Sequence, residues 1–155
     1  MSESIFPIDI GVVPEAAISG PVLLQSDEST FLIFNAMKRD PGTDSYTDAG
    51  QAVCEFPGCW ITKFGYPNDE ARYAIPRTHG LSYDVCEVAN SEWDKEIVAL
   101  NRHRFPDFTM RNKRHFLILF HESSFECLAE DIRCQTSNEP IEAILARLST
   151  RIAGE

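Results

Sequence analysis

The sequence predicts an α+β fold: a single domain with a mainly antiparallel sheet, built from hairpins, and two helices packed on one face. Short apolar runs rich in β-branched and aromatic residues recur along the chain, and turn-forming residues separate them. Only two segments space their apolar residues as a helix does. Because strands and helices do not alternate, we expect neighbouring strands to pair antiparallel. The length fits one domain over residues 1–155.

The first third of the chain predicts an extended segment, a hairpin and an exposed loop. Residues 1–20 are interrupted by two prolines and two glycines, so we expect them to lie extended on the domain. The β-rich runs 21–24 and 31–34 flank a polar segment and predict two antiparallel strands. Residues 38–51 are almost wholly polar and turn-forming, which predicts an exposed loop.

A second hairpin is predicted around Pro57 and Gly58, a pair suited to the centre of a tight turn. Proline restricts one φ and glycine supplies a positive φ at the next position, so residues 52–56 and 59–64 are expected to pair. The next connection, residues 65–80, exceeds the length of about 12–15 residues above which loops are usually functional or disordered. Its aromatic and apolar residues favour an ordered loop.

The two helices are predicted from capping residues and apolar spacing. Residues 83–88 form a strand-like run, and Ser91 then opens a capping box, so we expect a helix over about residues 92–103. The other helix is expected to begin near Ser137, with Pro140 tolerated in its first turn. Its apolar face must cover a sheet.

The most strand-like segments are 115–121 and 125–129, and we expect their hairpin to be central in the sheet. A two-residue turn at Glu122 and Ser123 sets the pairing of the two strands. The pairs expected on the core face are Phe120 with Phe125, Ile118 with Cys127, and Phe116 with Ala129.

Composition and charge exclude several classes of protein. Asp and Glu number 24 against 14 Lys and Arg, a net charge of -10, which opposes nucleic-acid binding despite five basic residues within 102–115. No basic residue precedes Lys38, which argues against a signal peptide. The longest apolar run, Phe116 to Phe120, is too short to span a membrane. A cytoplasmic protein is expected.

The cysteines and histidines do not match a metal site. The five cysteines include no CxxC pair, and their odd number in a reducing compartment predicts free thiols. Cys127 is expected in the core, and Cys134 is expected to be the more exposed and more reactive thiol. His115 and His121 lie six residues apart on one strand, roughly 20 Å, and cannot share an ion. Phosphate-loop and dinucleotide motifs are absent, so neither metal nor cofactor is expected.

The candidate site combines the 65–80 loop with the polar face of the 115–130 hairpin. That face is expected to hold His115 opposite Glu130, and a mixed polar and apolar face suits a shallow ligand site. The ligand-binding candidates are Tyr66, Asn68, Asp69, Arg72, Arg77 and His121. The catalytic candidates are His79, His115, Glu126 and Glu130.

Two structural alternatives remain open for the same residues. The polar hairpin face is also what an antiparallel sheet presents to solvent. Likewise, residues 65–69 form a purely structural turn if the Asn and Asp side chains bond to their own backbone.

Two motifs carry a resemblance to a known family. The loop Gly65–Ala71, with sequence GYPNDEA, and the hairpin segment 120–127, with sequence FHESSFEC, resemble those of a family of small uncharacterised bacterial proteins. The similarity spans about residues 60–131. It implies one coherent domain and draws attention to the same loop and hairpin, but it implies no activity.

Three hypotheses on function follow. The absence of a complete catalytic motif favours a non-catalytic domain that binds a small ligand or a protein partner through the 65–80 loop and the hairpin face. The alternatives are a small hydrolase-like enzyme that uses a histidine with a carboxylate, and an acidic inhibitor or immunity-type protein that masks a basic partner. Exposed sheet edges are compatible with a homodimer.

Overall fold

The computed structural model describes residues 1–155 and consists mainly of two stacked antiparallel β-sheets, whose strands are numbered in chain order. The first sheet contains, in spatial order, β1 (Ser4–Pro7), β7 (Val85–Ala89), β8 (Arg114–Leu119), β9 (Ser124–Ala129) and β6 (Ile61–Gly65). The second contains β10 (Arg133–Ser137), β5 (Tyr46–Glu55), β4 (Thr30–Arg39) and β2 (Val13–Pro14), with β3 (Val22–Gln25) also paired to β4. The α+β class and the antiparallel pairing are confirmed.

The main core lies between the two sheets. It forms because alternate residues of the central strands point inwards from both sides. Phe34 of the second sheet meets Phe120 of the first with ring centroids 5.3 Å apart. The buried residues of this core are Val12, Leu32, Phe34, Ala36, Ala52, Cys54, Phe56, Val85, Phe116, Ile118, Phe120, Phe125, Cys127 and Ala129. The prediction that Cys127 is a core residue is thereby confirmed.

The longer helices cover the outer faces of the two sheets. Helix α3 (Ile141–Ala153) buries Ile144 and Leu148 against the second sheet, and α2 (Glu92–Arg102) places Trp93 5.3 Å from the His115 ring on the first. The predicted placement of both helices on one face is therefore wrong. The physical reason is that a central strand of each sheet, β4 in the second and β8 in the first, is buried on both of its faces, so each sheet requires a layer on its outer side.

The central hairpin has the predicted faces but a different register. Its turn is centred on His121 and Glu122, and Phe120 N–H donates to the Ser123 carbonyl at 3.0 Å. Ile118 therefore lies opposite Phe125, and His115 lies opposite Leu128 rather than Glu130. A shift of two residues leaves each side chain on its predicted face because side chains alternate with a period of two.

The predicted hairpin around Pro57 and Gly58 is wrong. Gly58 has the expected positive φ of 58°, but the strands on either side of this turn belong to different sheets. β5 pairs with β4 and β10, whereas β6 pairs with β9. The turn thus carries the chain from one sheet to the other.

The exposed segment 38–51 is mostly strand, because β4 and β5 continue their ladder as far as Arg39 and Tyr46. Only residues 40–45 connect them, so the predicted loop was too long. Backbone pairing does not require apolar side chains, and the polar residues here remain exposed. The same reason explains why the polar strand β10 was missed.

No helix in the structure is both long enough and apolar enough to cross a bilayer.

Candidate functional site

The 65–80 segment is ordered and docks on the turn of the central hairpin. It contains the short helix α1 (Asp69–Tyr73), whose Asn68 cap accepts a hydrogen bond from the Ala71 N–H at 3.1 Å. Asn68, predicted to bind a ligand, thus bonds to its own backbone, as the structural alternative expected.

Arg72 holds this segment in place from inside the protein. Its residue is only 4% exposed, and its guanidinium donates to the carbonyls of Phe120 at 2.7 Å, Ser123 at 3.0 Å and Pro67 at 3.3 Å. Burial lowers the pKa of Arg72, and the nearby Asp69 carboxylate partly offsets that effect. Arg72 therefore positions the loop on the β8–β9 turn, whereas the sequence predicted a ligand contact.

Asp69, Tyr83 and His121 meet where the loop joins the hairpin. The Tyr83 hydroxyl donates to Asp69 Oδ2 at 2.6 Å, and His121 Nδ1 lies 2.6 Å from the same oxygen. The Asp69 N–H also donates to the His121 carbonyl at 2.9 Å. The His121 side chain is 41% exposed, so this Asp–His–Tyr cluster is open to solvent.

Carboxylates dominate the electrostatics of the Asp–His–Tyr cluster. The hydrogen bond from Tyr83 is the main cause that lowers the pKa of Asp69. The bond to Asp69 raises the pKa of His121, and the charges of Glu122 and Glu70 raise it further. His121 Nε2 lies 3.3 Å from Glu122 Oε1. The imidazolium is thus favoured, and negative charge surrounds it.

A second cluster is built on Glu126 and is buried. His115 Nε2 lies 2.7 Å from one Glu126 oxygen, and Arg77 Nη2 donates to the other at 2.5 Å. His115 Nδ1 lies 2.8 Å from the Ser91 hydroxyl, which also accepts the Asp94 N–H at the start of α2. His115 is 2% exposed. Both nitrogens of the ring and both oxygens of the carboxylate therefore have partners.

Burial raises the pKa of Glu126, but the hydrogen bonds and charges of His115 and Arg77 outweigh it and bring the pKa to about 2. Arg77 also donates to Glu3 Oε1 at 3.1 Å, and Glu3 accepts the Glu92 N–H at 2.8 Å. This network ties the N-terminal segment to the first sheet and to α2.

The remaining predicted residues do not join either cluster. The His79 ring packs against the Tyr73 ring at a tilt of 56°, with ring centroids 4.6 Å apart, and its Nδ1 lies 2.8 Å from the Tyr73 carbonyl oxygen. Glu130 pairs with Lys113 at 3.0 Å, and its predicted proximity to His115 is wrong because of the changed register. Tyr66 is 81% exposed and lies free on the loop.

Sequence reasoning missed the site roles of Tyr83 and Ser91. Tyr83 lies 14 residues after Asp69, and no local pattern links the two. Ser91 was recognised only as a helix cap, a role that the structure also gives it. The position of His115 on the outer face of its strand was the one available signal for a contact with α2.

No three His, Cys, Asp or Glu side chains converge in a way that could hold a metal ion. No family model matches the chain, and comparisons with curated proteins and with solved structures find no similar protein.

Proposed function

We propose that this protein is a non-catalytic binding domain that recognises a cationic group on a protein partner through the Asp–His–Tyr cluster and the 65–80 loop. The proposal depends on the place where the 65–80 loop meets the turn of the central hairpin. Two predicted candidates, Asp69 and His121, meet there in an open position, whereas His115 and Glu126 lie buried with every polar atom paired.

The charge around the Asp–His–Tyr cluster supports a cationic ligand. Glu70 is exposed, the Glu122 side chain is 79% exposed, and both lie close enough to His121 to affect its pKa. These carboxylates outnumber the single imidazolium, and the chain has a net charge of -10. A basic partner is therefore attracted both at long range and at the site.

Exposed aromatic rings add a second element of recognition. Tyr66 precedes Asp69 by three residues, and Tyr73 at the end of α1 is 72% exposed. Tyrosine rings bind Lys and Arg side chains through cation–π contacts worth about 0.5–1 kcal/mol at exposed sites. A rigid loop loses little entropy when a partner binds, and Arg72 supplies that rigidity.

Fluorescence anisotropy with a labelled peptide of alternating arginine and glycine tests the proposal, and a glutamate–glycine peptide serves as the control ligand. We expect only the basic peptide to bind, and we expect its binding to weaken at higher salt. Asp69→Asn and Glu122→Gln should each raise the Kd of the basic peptide roughly two- to five-fold, the effect expected when one exposed ion pair is lost.

Asp44→Asn provides a matched control. Asp44 is fully exposed and pairs with Arg39 at 2.9 Å, and no hydrogen bond or ion pair joins it to the Asp–His–Tyr cluster. If Asp44→Asn raises the Kd of the basic peptide as much as Asp69→Asn does, binding depends only on net charge and the proposed site is wrong. Absence of binding by the basic peptide at low salt would reject the proposal altogether.

A second candidate function is proton transfer by His121. A carboxylate at Nδ1 orients the imidazole, as a general acid or base requires. Its other nitrogen, Nε2, lies 3.3 Å from the exposed Glu122 carboxylate on a side chain that is 41% exposed. The distance of 2.6 Å between Asp69 Oδ2 and His121 Nδ1 favours proton transfer. Hydrolysis of activated esters that is lost in His121→Ala and retained in His115→Ala would support this candidate. Equal loss in both variants would oppose it.

A further inference from the structure

Cys54 and Cys134 face each other on adjacent strands of the second sheet. They are direct partners in the antiparallel register of β5 and β10. Residues so paired have Cα atoms about 4.5 or 5.5 Å apart, and both separations suit a disulfide. Directly opposed side chains also share a face, so the two thiols are neighbours, and each shifts the pKa of the other.

The two thiols differ in their access to solvent. Cys54 is fully buried in the core between the sheets, whereas β10 is an edge strand and Cys134 is only half-buried. Cys134 lines an open cavity of about 570 Å³ together with Lys38, Thr47 and Thr136. A small polar reagent can therefore reach Cys134 without disturbing the core.

The environment assigns different chemical roles to the two sulfurs. Interaction with the neighbouring Cys54 thiol lowers the pKa of Cys134, although the burial of Cys134 acts in the opposite direction. The same interaction and burial raise the pKa of Cys54. The thiolate is the nucleophilic form, so Cys134 is the sulfur that reacts first and Cys54 remains a thiol.

We infer that Cys54 and Cys134 form a redox-active dithiol that a small hydroperoxide oxidises at Cys134. The Cys134 thiolate attacks one oxygen of hydrogen peroxide, the O–O bond breaks, and the leaving hydroxide takes up a proton to give water. The Cys54 sulfur then attacks the sulfenic acid at Cys134, the S–O bond breaks, and a second water leaves. In total, two thiols and one hydrogen peroxide give one disulfide and two waters.

The other cysteines provide internal comparisons. Cys127 lies opposite Thr62 and Phe116 in its two strand pairs, so no cysteine faces it in register. The Cys59 thiol donates to the Ile61 carbonyl at 3.8 Å. Cys86 is buried among apolar residues in a separate cluster on the outer face of the first sheet. We therefore expect Cys86 to remain reduced while Cys134 reacts.

The wild-type protein tests the inference directly. The folded protein is treated with hydrogen peroxide, quenched by alkylation and digested with trypsin without reduction. We expect a disulfide between tryptic peptides 40–63 and 134–147, detected by mass spectrometry and removed by a reductant. Peptide 40–63 also contains Cys59, so the Cys59→Ala variant must retain the link.

Variants separate the two steps of the reaction. Cys134→Ala changes a half-buried edge residue and should abolish the link. Cys54→Ala should leave the Cys134 sulfenic acid without a partner, so that its adduct with dimedone increases severalfold. Absence of the wild-type link, loss of the link in Cys59→Ala, or oxidation of Cys86 as fast as that of Cys134 would each overturn the inference. None of these three results depends on the fold of the core variant Cys54→Ala.

Discussion

Replacement of Glu126 by glutamine tests whether the buried ion pairs stabilise the fold. Glu126 accepts from Arg77 and lies against His115 on the outer face of the first sheet. Glu126→Gln keeps the size of the side chain but removes its charge. The buried His115 ring and the partly exposed Arg77 guanidinium then lose their shared carboxylate partner. Loss of one partner from a buried charge pair is destabilising.

The magnitude follows from the pKa of the carboxyl group. Its pKa falls from 4.5 to about 2 in the folded protein, and one pKa unit corresponds to about 1.4 kcal/mol. The carboxylate of Glu126 thus contributes about 3 kcal/mol to the free energy of unfolding. Because the folded pKa is lowered, this contribution is complete above about pH 5 and is lost as the pH falls towards 2.

Urea unfolding of both proteins between pH 3 and pH 7 measures the effect. We expect the variant to be less stable by about 3 kcal/mol at pH 7 and by about half of that near pH 3. Asp44→Asn, which changes an exposed carboxylate, should follow the wild-type pH profile. A difference between wild type and Glu126→Gln that stays constant over this range would refute the reasoning, because the lost stability would then not depend on ionisation.

Three further predictions concern the loop, the second sheet and the Asp–His–Tyr cluster. Arg72→Met removes one donor from each of three backbone carbonyls, of which only that of Ser123 keeps another donor, the Phe120 N–H. The variant should lower the free energy of unfolding by at least about 2 kcal/mol, and an unchanged urea midpoint would contradict this. Gly50 and Gly42 have φ of 75° and 73°, but only at Gly50 would a Cβ meet a backbone oxygen, at 2.5 Å. Gly42→Ala should therefore lower the free energy of unfolding by about 1–2 kcal/mol, and Gly50→Ala should lower it clearly more. Equal losses of stability in thermal unfolding would show that the close contact at Gly50 is unimportant. Asp69→Asn should lower the pKa of His121, because the hydrogen bond to Asp69 is the main cause that raises it. NMR titration of the His121 ring protons measures this pKa, and an unaltered value would show that the Asp69–His121 contact is absent in solution.

Local chemistry explains which elements could be predicted. Helix α2 begins where expected because the Ser91 hydroxyl caps it within a few residues of the chain. The two faces of the β8–β9 hairpin follow from simple alternation. Strand β10 could not be predicted, because its polar residues are held by backbone bonds to β5, a segment far away in the sequence.

The candidate site shows the same division. The sequence drew attention to the right loop and the right hairpin, and to Asp69 and His121 individually. It could not show that these two residues meet, because their contact spans 52 residues. Nor could it separate His121, which is open, from His115, which is buried; both histidines belong to the same β-rich segment.

The last helix begins at Ile141 and not near Ser137, with Pro140 at its N-cap and no side-chain cap, because residues 133–137 pair with β5. The sequence alone determined the α+β class, the antiparallel pairing, the Ser91 cap of α2 and the faces of the central hairpin. Each depends on interactions between residues close together in the chain, such as capping bonds and the period of side-chain alternation. Only the tertiary structure decided that two sheets stack with a helix on each outer face, and that Arg72 turns inwards to hold a loop. It also decided that Cys54 meets Cys134, because such contacts depend on the register and packing of segments distant in sequence, and those are set by the burial of the whole core.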